Sequence, residues 1–464
     1  MPKLLILMKK IALFLMLCLC ATPQARSQAN DSNTPLHLLK PDYRVSYGIP
    51  QRSEVVGVMG RLLKYVEAET PAQLVDMRTG AAVSLTKIDK NTRLAQGGFR
   101  LTSYEWGVTY SAMLAAWKAT GDVKYRDYAL KRMTLLANAA PKFEKIYANG
   151  KTDIGLMRQV VDPKALDDAG AICSAMIKAQ LDDSSLDLRS QIDRYIQYIT
   201  QREHRLADGT FARNRPQRNS VWLDDMFMGV PAVAWMGRLT GDATYYEEAL
   251  RQVRGFRTHM FVEDKNLFRH GWIEAATDHP AFFWGRANGW ALLSLCEVLD
   301  ALPAEASGRA EALELLRKHV RGLASLQQKD GFWHQLLDRN DTYLETSCGA
   351  IFTYCIAHAI NRGWIDAVTY GPVALLGWHA LASQVDESGR VQNVCVGTGM
   401  GFDPAFYAYR PVSAAAAHGY GPALWAAAEI LQLLDNQHPK MNDSAVQFYS
   451  EEIKTDQPIF SVGE

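Results

Sequence analysis

The chain has 464 residues, with 50 Lys plus Arg against 50 Asp plus Glu and a tenth of its residues aromatic. A formal net charge of zero, with both signs mixed along the chain, excludes a basic nucleic-acid-binding tract and an acidic disordered tail. Past the N-terminus, no stretch is apolar for the roughly 20 residues a membrane span needs.

The N-terminus reads basic, then apolar, then small: Lys3, Lys9 and Lys10, the run Ile11–Cys20, then Ala25-Arg26-Ser27. That order is a secretory signal, with cleavage before Gln28, and it predicts a secreted or periplasmic protein. The alternative, a membrane anchor, needs an apolar run about twice as long. The flanks of Cys18 and Cys20 fit lipoprotein cleavage poorly. Residues 28–50 are polar and Pro-containing and read as a flexible leader. Residues 51–440 read as one folded domain, and 441–464 as a C-terminal tail.

Apolar residues recur at helical intervals over Ser53–Glu69, Trp106–Thr120, Lys124–Ala139, Asp168–Leu181, Leu186–Gln201 and Met226–Leu239. They do so again over Ala243–Thr258, Trp290–Ala301, Ala310–Gln327, Ser347–Asn361, Tyr370–Ala382 and Pro422–Leu434. The spacing predicts about a dozen helices. Strand signals are short and local, around Phe211 and over Phe332–Gln335. The segments rich in Gly, aromatic and charged residues, including Arg213–Asp225, Trp284–Trp290 and Gly397–Gly401, read as loops.

An internal repeat links these helices. Thr120-Gly121-Asp122 leads to Tyr125, and Thr240-Gly241-Asp242 leads to Tyr245. A looser copy runs from Asn361-Arg362-Gly363 to Asp366 and Tyr370. In each, Gly ends one helix and Asp caps the next. Repeated helix hairpins cannot bury their apolar faces alone, so they stack on one another. About six of them close as a ring, an all-α (α/α)6 barrel, with an open solenoid as the alternative. The segments Trp290–Leu295 and Ala414–Ala428 are apolar nearly all round, which suits inner-ring helices. Cys173, Cys296 and Cys355 fall in apolar helical patterns and read as buried thiols.

The chemistry-bearing residues sit at helix starts. Trp222-Leu223-Asp224-Asp225-Met226-Phe227-Met228-Gly229 puts two carboxylates before an apolar helix. Taken alone, such an Asp is a cap that complements the helix dipole. Trp222 and the Met-rich turn would wrap Asp224 in apolar surface, which raises a carboxyl pKa towards the range useful for donating a proton. Leu166-Asp167-Asp168-Ala169-Gly170 repeats the pattern at an earlier helix. In a closed ring both pairs face one cavity, and paired carboxylates are the usual apparatus for protonating and hydrating sugars.

Phe283-Trp284-Gly285-Arg286-Ala287-Asn288-Gly289-Trp290 places two indoles around an arginine. An arginine fork matches a carboxylate, and an indole face stacks on a sugar ring. The competing reading is a structural loop. His270, in His-Gly-Trp, is either a substrate partner or a satisfied core residue. Arg213 lies in a basic stretch before Trp222 that is either ordinary surface or a holder of an anionic sugar. Tyr104 opens another inner helix. No phosphate-binding or dinucleotide motif, nucleophile elbow or zinc spacing is present.

Read together, several segments resemble glycoside hydrolase family 105, the unsaturated rhamnogalacturonyl hydrolases. They are Leu-Asp-Asp at 166–168, Trp-Leu-Asp-Asp-Met-Phe-Met-Gly at 222–229, His-Gly-Trp at 270–272, the 283–290 segment, Tyr-Leu-Glu-Thr-Ser at 343–347 and Val-Cys-Val-Gly-Thr at 394–398. The resemblance runs from Tyr104 to Leu434, and family 88, the unsaturated glucuronyl hydrolases, is more distantly similar. It implies an (α/α)6 barrel with no metal or organic cofactor, acting on an unsaturated oligosaccharide left by a polysaccharide lyase. In the implied reaction an acid protonates C4 of the C4=C5 bond, water adds at C5, and the hemiketal opens to release the neighbouring sugar. The resemblance makes Asp224 the acid/base and places the second acid at Asp167 or Asp168. Trp222, Trp284 and Trp290 would line the sugar site, and Arg286, His270 and Tyr104 would contact the uronate. Arg213 lies in a loop that departs from the family version. The rival readings are an inverting glycosidase or epimerase on the same scaffold, and a non-catalytic sugar-binding protein.

Overall fold

The computed structural model describes residues 30, 32–33, 36, 39, 45–148, 152–279, 281–441 and 445–452. The predicted signal at 1–27, most of the leader and residues 453–464 of the tail lie outside the described residues. The chain divides into two compact units, Met1–Val45 with Asp443–Ala445, and Ser46–Asn442 with Val446–Glu464. In the first, the Asn33 amide closes a turn on the Asn30 carbonyl at 3.1 Å.

The second unit opens with α1 (Arg52–Glu69) and a three-stranded antiparallel sheet of β1 (Leu74–Asp76), β2 (Ala82–Val83) and β3 (Thr92–Leu94), ordered β2-β1-β3. Then come α2 (Tyr104–Thr120), α3 (Val123–Ala148), the short α4 (Met157–Val161), α5 (Leu166–Asp182) and α6 (Arg189–Gln197). Strand β4 (Ser220–Trp222) precedes α7 (Asp224–Thr240) and α8 (Ala243–Met260). The hairpin β5 (Phe261–Val262) and β6 (Leu267–Phe268) follows, then β7 (Gly271–Ile273), which pairs with β4. The remainder is α9 (Gly285–Ala301), α10 (Arg309–Ala324), α11 (Thr346–Asn361), α12 (Ala367–Ser383), α13 (Pro404–Ala408), α14 (Tyr420–Gln437) and the pair β8 (Lys440–Met441) and β9 (Val446–Gln447).

Helices α2, α5, α7, α9, α11 and α14 pack each against the next, and α14 packs back on α2. Outside them lie α3, α6, α8, α10, α12 and, against α14, the first helix α1. The result is a closed (α/α)6 barrel. Burial follows the ring: α9 and α11 bury nearly every side chain, whereas α8 and α10 bury a single stripe. The repeated turns form as their composition requires. Gly121, Gly241 and Gly363 adopt φ of 73°, 75° and 68°, the left-handed region. The Asp122, Asp242 and Asp366 carboxylates then accept from the amides of Lys124, Thr244 and Thr369 at 3.0, 2.9 and 2.7 Å. Cys173, Cys296 and Cys355 are buried free thiols.

Two differences from the sequence expectation matter. Trp284–Trp290 is not a loop, because α9 already begins at Gly285. Its glycines look like helix breakers but are spacers. A Cβ on Gly285 would stand 2.9 Å from the Cys348 sulfur, and one on Gly289 3.0 Å from Ile351. The second is the small sheet at 74–94, whose two- and three-residue strands are too short for periodicity to register.

A cavity of about 950 Å³ lies at the C-terminal ends of the inner helices, away from the acidic pairs. Several of its charges pair with one another: Lys118 with Asp182 at 2.8 Å, Lys178 with Glu297, and His358 with Asp300 and Glu429 at 2.9 Å each.

Candidate active site

The six inner helices begin at one end of the barrel. Gly107 on α2 abuts Ile172 of α5, Gly170 on α5 abuts Met228 of α7, and Gly421 on α14 abuts Thr109 of α2, so neighbours are level near their starts. At Gly170 a Cβ would lie 1.5 Å from the Met228 carbonyl oxygen, so only glycine lets α5 and α7 approach this closely. Asp167 and Asp168 sit in the first turn of α5, and Asp224 and Asp225 in that of α7. The partial positive charge of helix N-termini favours carboxylates there.

The four acids have different surroundings. Asp168 is buried and accepts from Arg158 Nη1 at 2.8 Å, Gln159 Nε2 at 2.7 Å and the Lys164 amide at 3.0 Å. Its oxygens are committed to the scaffold. Asp225 is also buried and takes a two-pronged contact from Arg213, Nε at 2.7 Å and Nη2 at 2.6 Å. The same Nη2 reaches Asp167 at 3.1 Å, while the guanidinium lies 4.5 Å from the centre of the Trp222 ring. Arg213 is therefore a clamp between the two pairs. Asp167 and Asp224 are the two that keep solvent contact, with side chains 30% and 15% exposed.

Their electrostatics diverge. Burial raises Asp167, the negative neighbours Asp225, Asp224 and Asp168 add to it, and Arg213 opposes; the carboxyl is pushed up to about 7. Burial pushes Asp224 up as well, but the hydrogen bond from His270, together with the charges of Arg213 and Arg286, outweighs it and holds Asp224 below the ordinary range. This corrects the expectation that the Trp222 wall keeps Asp224 protonated. Asp224 is the ionised carboxylate, and the raised acid is Asp167. Nearby Glu203, bonded to the Tyr198 hydroxyl at 2.8 Å, is pushed by burial to about 7 as well.

His270 is neither a free substrate ligand nor an inert core residue. It is buried, with Nε2 2.9 Å from Asp224 Oδ2 and Nδ1 2.7 Å from the Tyr407 hydroxyl. Arg286 is buried too, and its ends are engaged: Nη1 donates to Ser347 Oγ at 3.2 Å and the Cys395 carbonyl at 2.7 Å, and Nη2 donates to the Val396 carbonyl at 2.7 Å. Glu345 anchors the same loop, accepting from the Cys395 amide at 2.9 Å. Arg286 Nε and the indole nitrogens of Trp284 and Trp290 are buried with no hydrogen-bond partner among the described residues.

Trp290 stacks on Phe227 at 5.1 Å and meets Tyr104 edge-on at 6.4 Å. The Tyr104 hydroxyl lies 2.6 Å from His418 Nε2. Trp222 is fixed by its indole N–H to Ser220 Oγ at 3.2 Å, and a Cβ on Gly399 would stand 3.4 Å from its ring. The sequence reading missed Tyr407, Glu203 and Arg158. None lies in a chemically distinctive motif, and each reaches the site only through the fold. Among the described residues, no helix is long and apolar enough to cross a membrane.

The family model described as Glycosyl Hydrolase Family 88 matches residues 77–434. The chain is 30% identical over 213 residues to the unsaturated rhamnogalacturonyl hydrolase YesR of Bacillus subtilis, covering 46% of this chain and 60% of the relative. It is also 30% identical to an unsaturated 3S-rhamnoglycuronyl hydrolase of an Alteromonas species, over 45% of this chain and 51% of the relative. The chain thus spans about half to three-fifths of the length of these relatives. The fold is similar to that of a possible GH105 family member from Klebsiella pneumoniae, with a TM-score of 0.66 at 22% identity over 86% of this chain and 96% of that one.

Proposed function

The chain belongs to glycosyl hydrolase family 88, and from that membership we propose that it removes a terminal 4,5-unsaturated uronic acid from lyase-generated oligosaccharides by hydrating the C4=C5 bond. The observation that carries this reading is the split acid pair: Asp167 is raised to about 7 and Asp224 is held ionised, on adjacent inner helices at one mouth.

Protonating an enol-ether carbon requires a carboxylic acid that still holds its proton near neutrality, which Asp167 supplies. The proton passes to C4, and positive charge develops at C5 and the ring oxygen. Water adds at C5 and gives its proton to Asp224. The C5–ring-oxygen bond of the hemiketal then opens to a ketone, and the hemiacetal left at C1 releases the neighbouring sugar. Solvent returns a proton to Asp167 and takes one from Asp224. Asp168, bound to Arg158 and Gln159, serves as scaffold rather than as the second acid. Arg286 offsets the uronate carboxylate by its charge, with Nε–H and one Nη2–H left beyond its three hydrogen bonds, and Trp222 and Tyr104 frame the sugar, with Trp284 and Trp290 buried in the wall.

The test follows ultraviolet absorbance over a panel of lyase-generated disaccharides from rhamnogalacturonan, ulvan and glycosaminoglycan. Turnover should bleach the double bond as free sugar appears. Cleavage of saturated uronosides with no such loss would replace hydration by ordinary glycoside hydrolysis. The leader sequence supports a secreted or periplasmic site of action. N-terminal sequencing of the exported protein should begin at Gln28, and an intact leader on active protein would refute it.

A further inference from the structure

The Gly397–Gly401 segment is not explained by tight turns, because none of its glycines has a positive φ. Gly401 serves close approach, whereas a side chain at Gly397 would meet open space. A Cβ on Gly401 would stand 2.2 Å from the Phe406 ring and 2.9 Å from the Tyr407 ring, and Met400 packs against Gly271 beside His270. That fit brings the Gly401 amide to the Tyr407 hydroxyl at 2.8 Å. Tyr407 and His270 are both buried, Tyr407 at 0% and His270 at 1% exposure, so their hydrogens must be satisfied by one another.

The proton count leaves one arrangement. Tyr407 Oη accepts from the Gly401 N–H, so its single hydrogen goes to its other neighbour, His270 Nδ1, at 2.7 Å. Nδ1 must then be a bare lone pair, and the ring hydrogen sits on Nε2. From there it is donated to Asp224 Oδ2 at 2.9 Å. If Nδ1 carried a hydrogen instead, the Tyr407 hydroxyl would hold a buried donor with no acceptor among the described residues, an arrangement buried polar groups avoid.

We propose that Tyr407, docked by the Gly401 amide, is a positioning residue that holds His270 as the neutral Nε2–H tautomer and thereby orients the Asp224 carboxylate. The chain runs from Gly401 N–H through the Tyr407 hydroxyl and the His270 imidazole to Asp224. It rests on the proposed function only for what Asp224 then does.

Two readouts test it. In 15N-histidine NMR of the whole protein, with the His270 signal identified by its loss in His270→Gln, His270 should show a hydrogen on Nε2 and a hydrogen-bonded, unprotonated Nδ1 near neutral pH. A hydrogen on Nδ1 in the wild type overturns the proposal. In the absorbance assay, Tyr407→Phe should lower kcat about tenfold, the worth of one buried hydrogen bond, with KM within about twofold of wild type. A Tyr407→Phe enzyme with wild-type kcat, or one that changes KM alone, also overturns it. If no lyase-generated sugar is turned over by the wild type, the functional reading falls, while the NMR result still decides the tautomer.

Discussion

Asp224→Asn is expected to lose turnover by on the order of 10²–10⁴-fold while keeping its fold and its affinity for the unsaturated sugar. The substitution keeps the side chain's shape, so the amide can still accept from His270 Nε2 through its oxygen. What it cannot do is take a proton from water. The rest of the site is held independently: Arg213 is clamped on Asp225, and Asp168 on Arg158 and Gln159. Circular dichroism and the thermal midpoint should therefore remain close to wild type. The measurement is the rate of double-bond bleaching at saturating substrate, with binding followed calorimetrically on the inactive variant. Residual activity within tenfold of wild type would remove Asp224 from the chemistry. Binding by a wild type with no turnover would turn the protein into a sugar-binding module.

The second large effect is on pH. Asp167 is raised to about 7 by partial burial, with Asp225, Asp224 and Asp168 adding to it and Arg213 opposing. The proposed donor must be protonated, so activity should be full below about pH 7. It should fall close to tenfold per pH unit above it, as the proton is lost from the free enzyme. Asp224, held low by His270 and the two arginines, stays ionised throughout that window and contributes no acid limb near neutrality. Glu203 titrates in the same range, so Glu203→Gln is the control. It should leave the basic limb of kcat/KM in place, whereas Asp167→Asn should abolish activity. A profile that stays level from pH 6 to 9, or a limb that vanishes in Glu203→Gln, would deny Asp167 the donor's role.

The helix hairpins were legible because their signals are local. Gly121 and Gly241 end helices by adopting a conformation other residues avoid, and Asp122 and Asp242 cap the next ones within two residues. The acidic pairs were legible as residue types at helix starts. Their division of labour was not, since nothing in Leu166-Asp167-Asp168 tells which carboxylate Arg158 will capture and which will face Asp224. The apolar context of Trp222 pointed to a protonated Asp224. The opposite holds because His270, arriving from the β6–β7 turn, places a donor on that carboxylate.

The amino-acid sequence by itself determined the helix periods, the capped turns between them and the supply of acids and indoles, because each depends on neighbours within a few residues. The tertiary structure alone decided the state of each acid. A carboxyl's proton affinity is set by charges and donors within a few ångströms, and here those come from Arg213, His270 and Arg286, brought in by closure of the ring. It also decided that Tyr407, remote in the chain from both acids, stands behind His270, through a fit that only the packing of Gly401 and Gly271 makes possible.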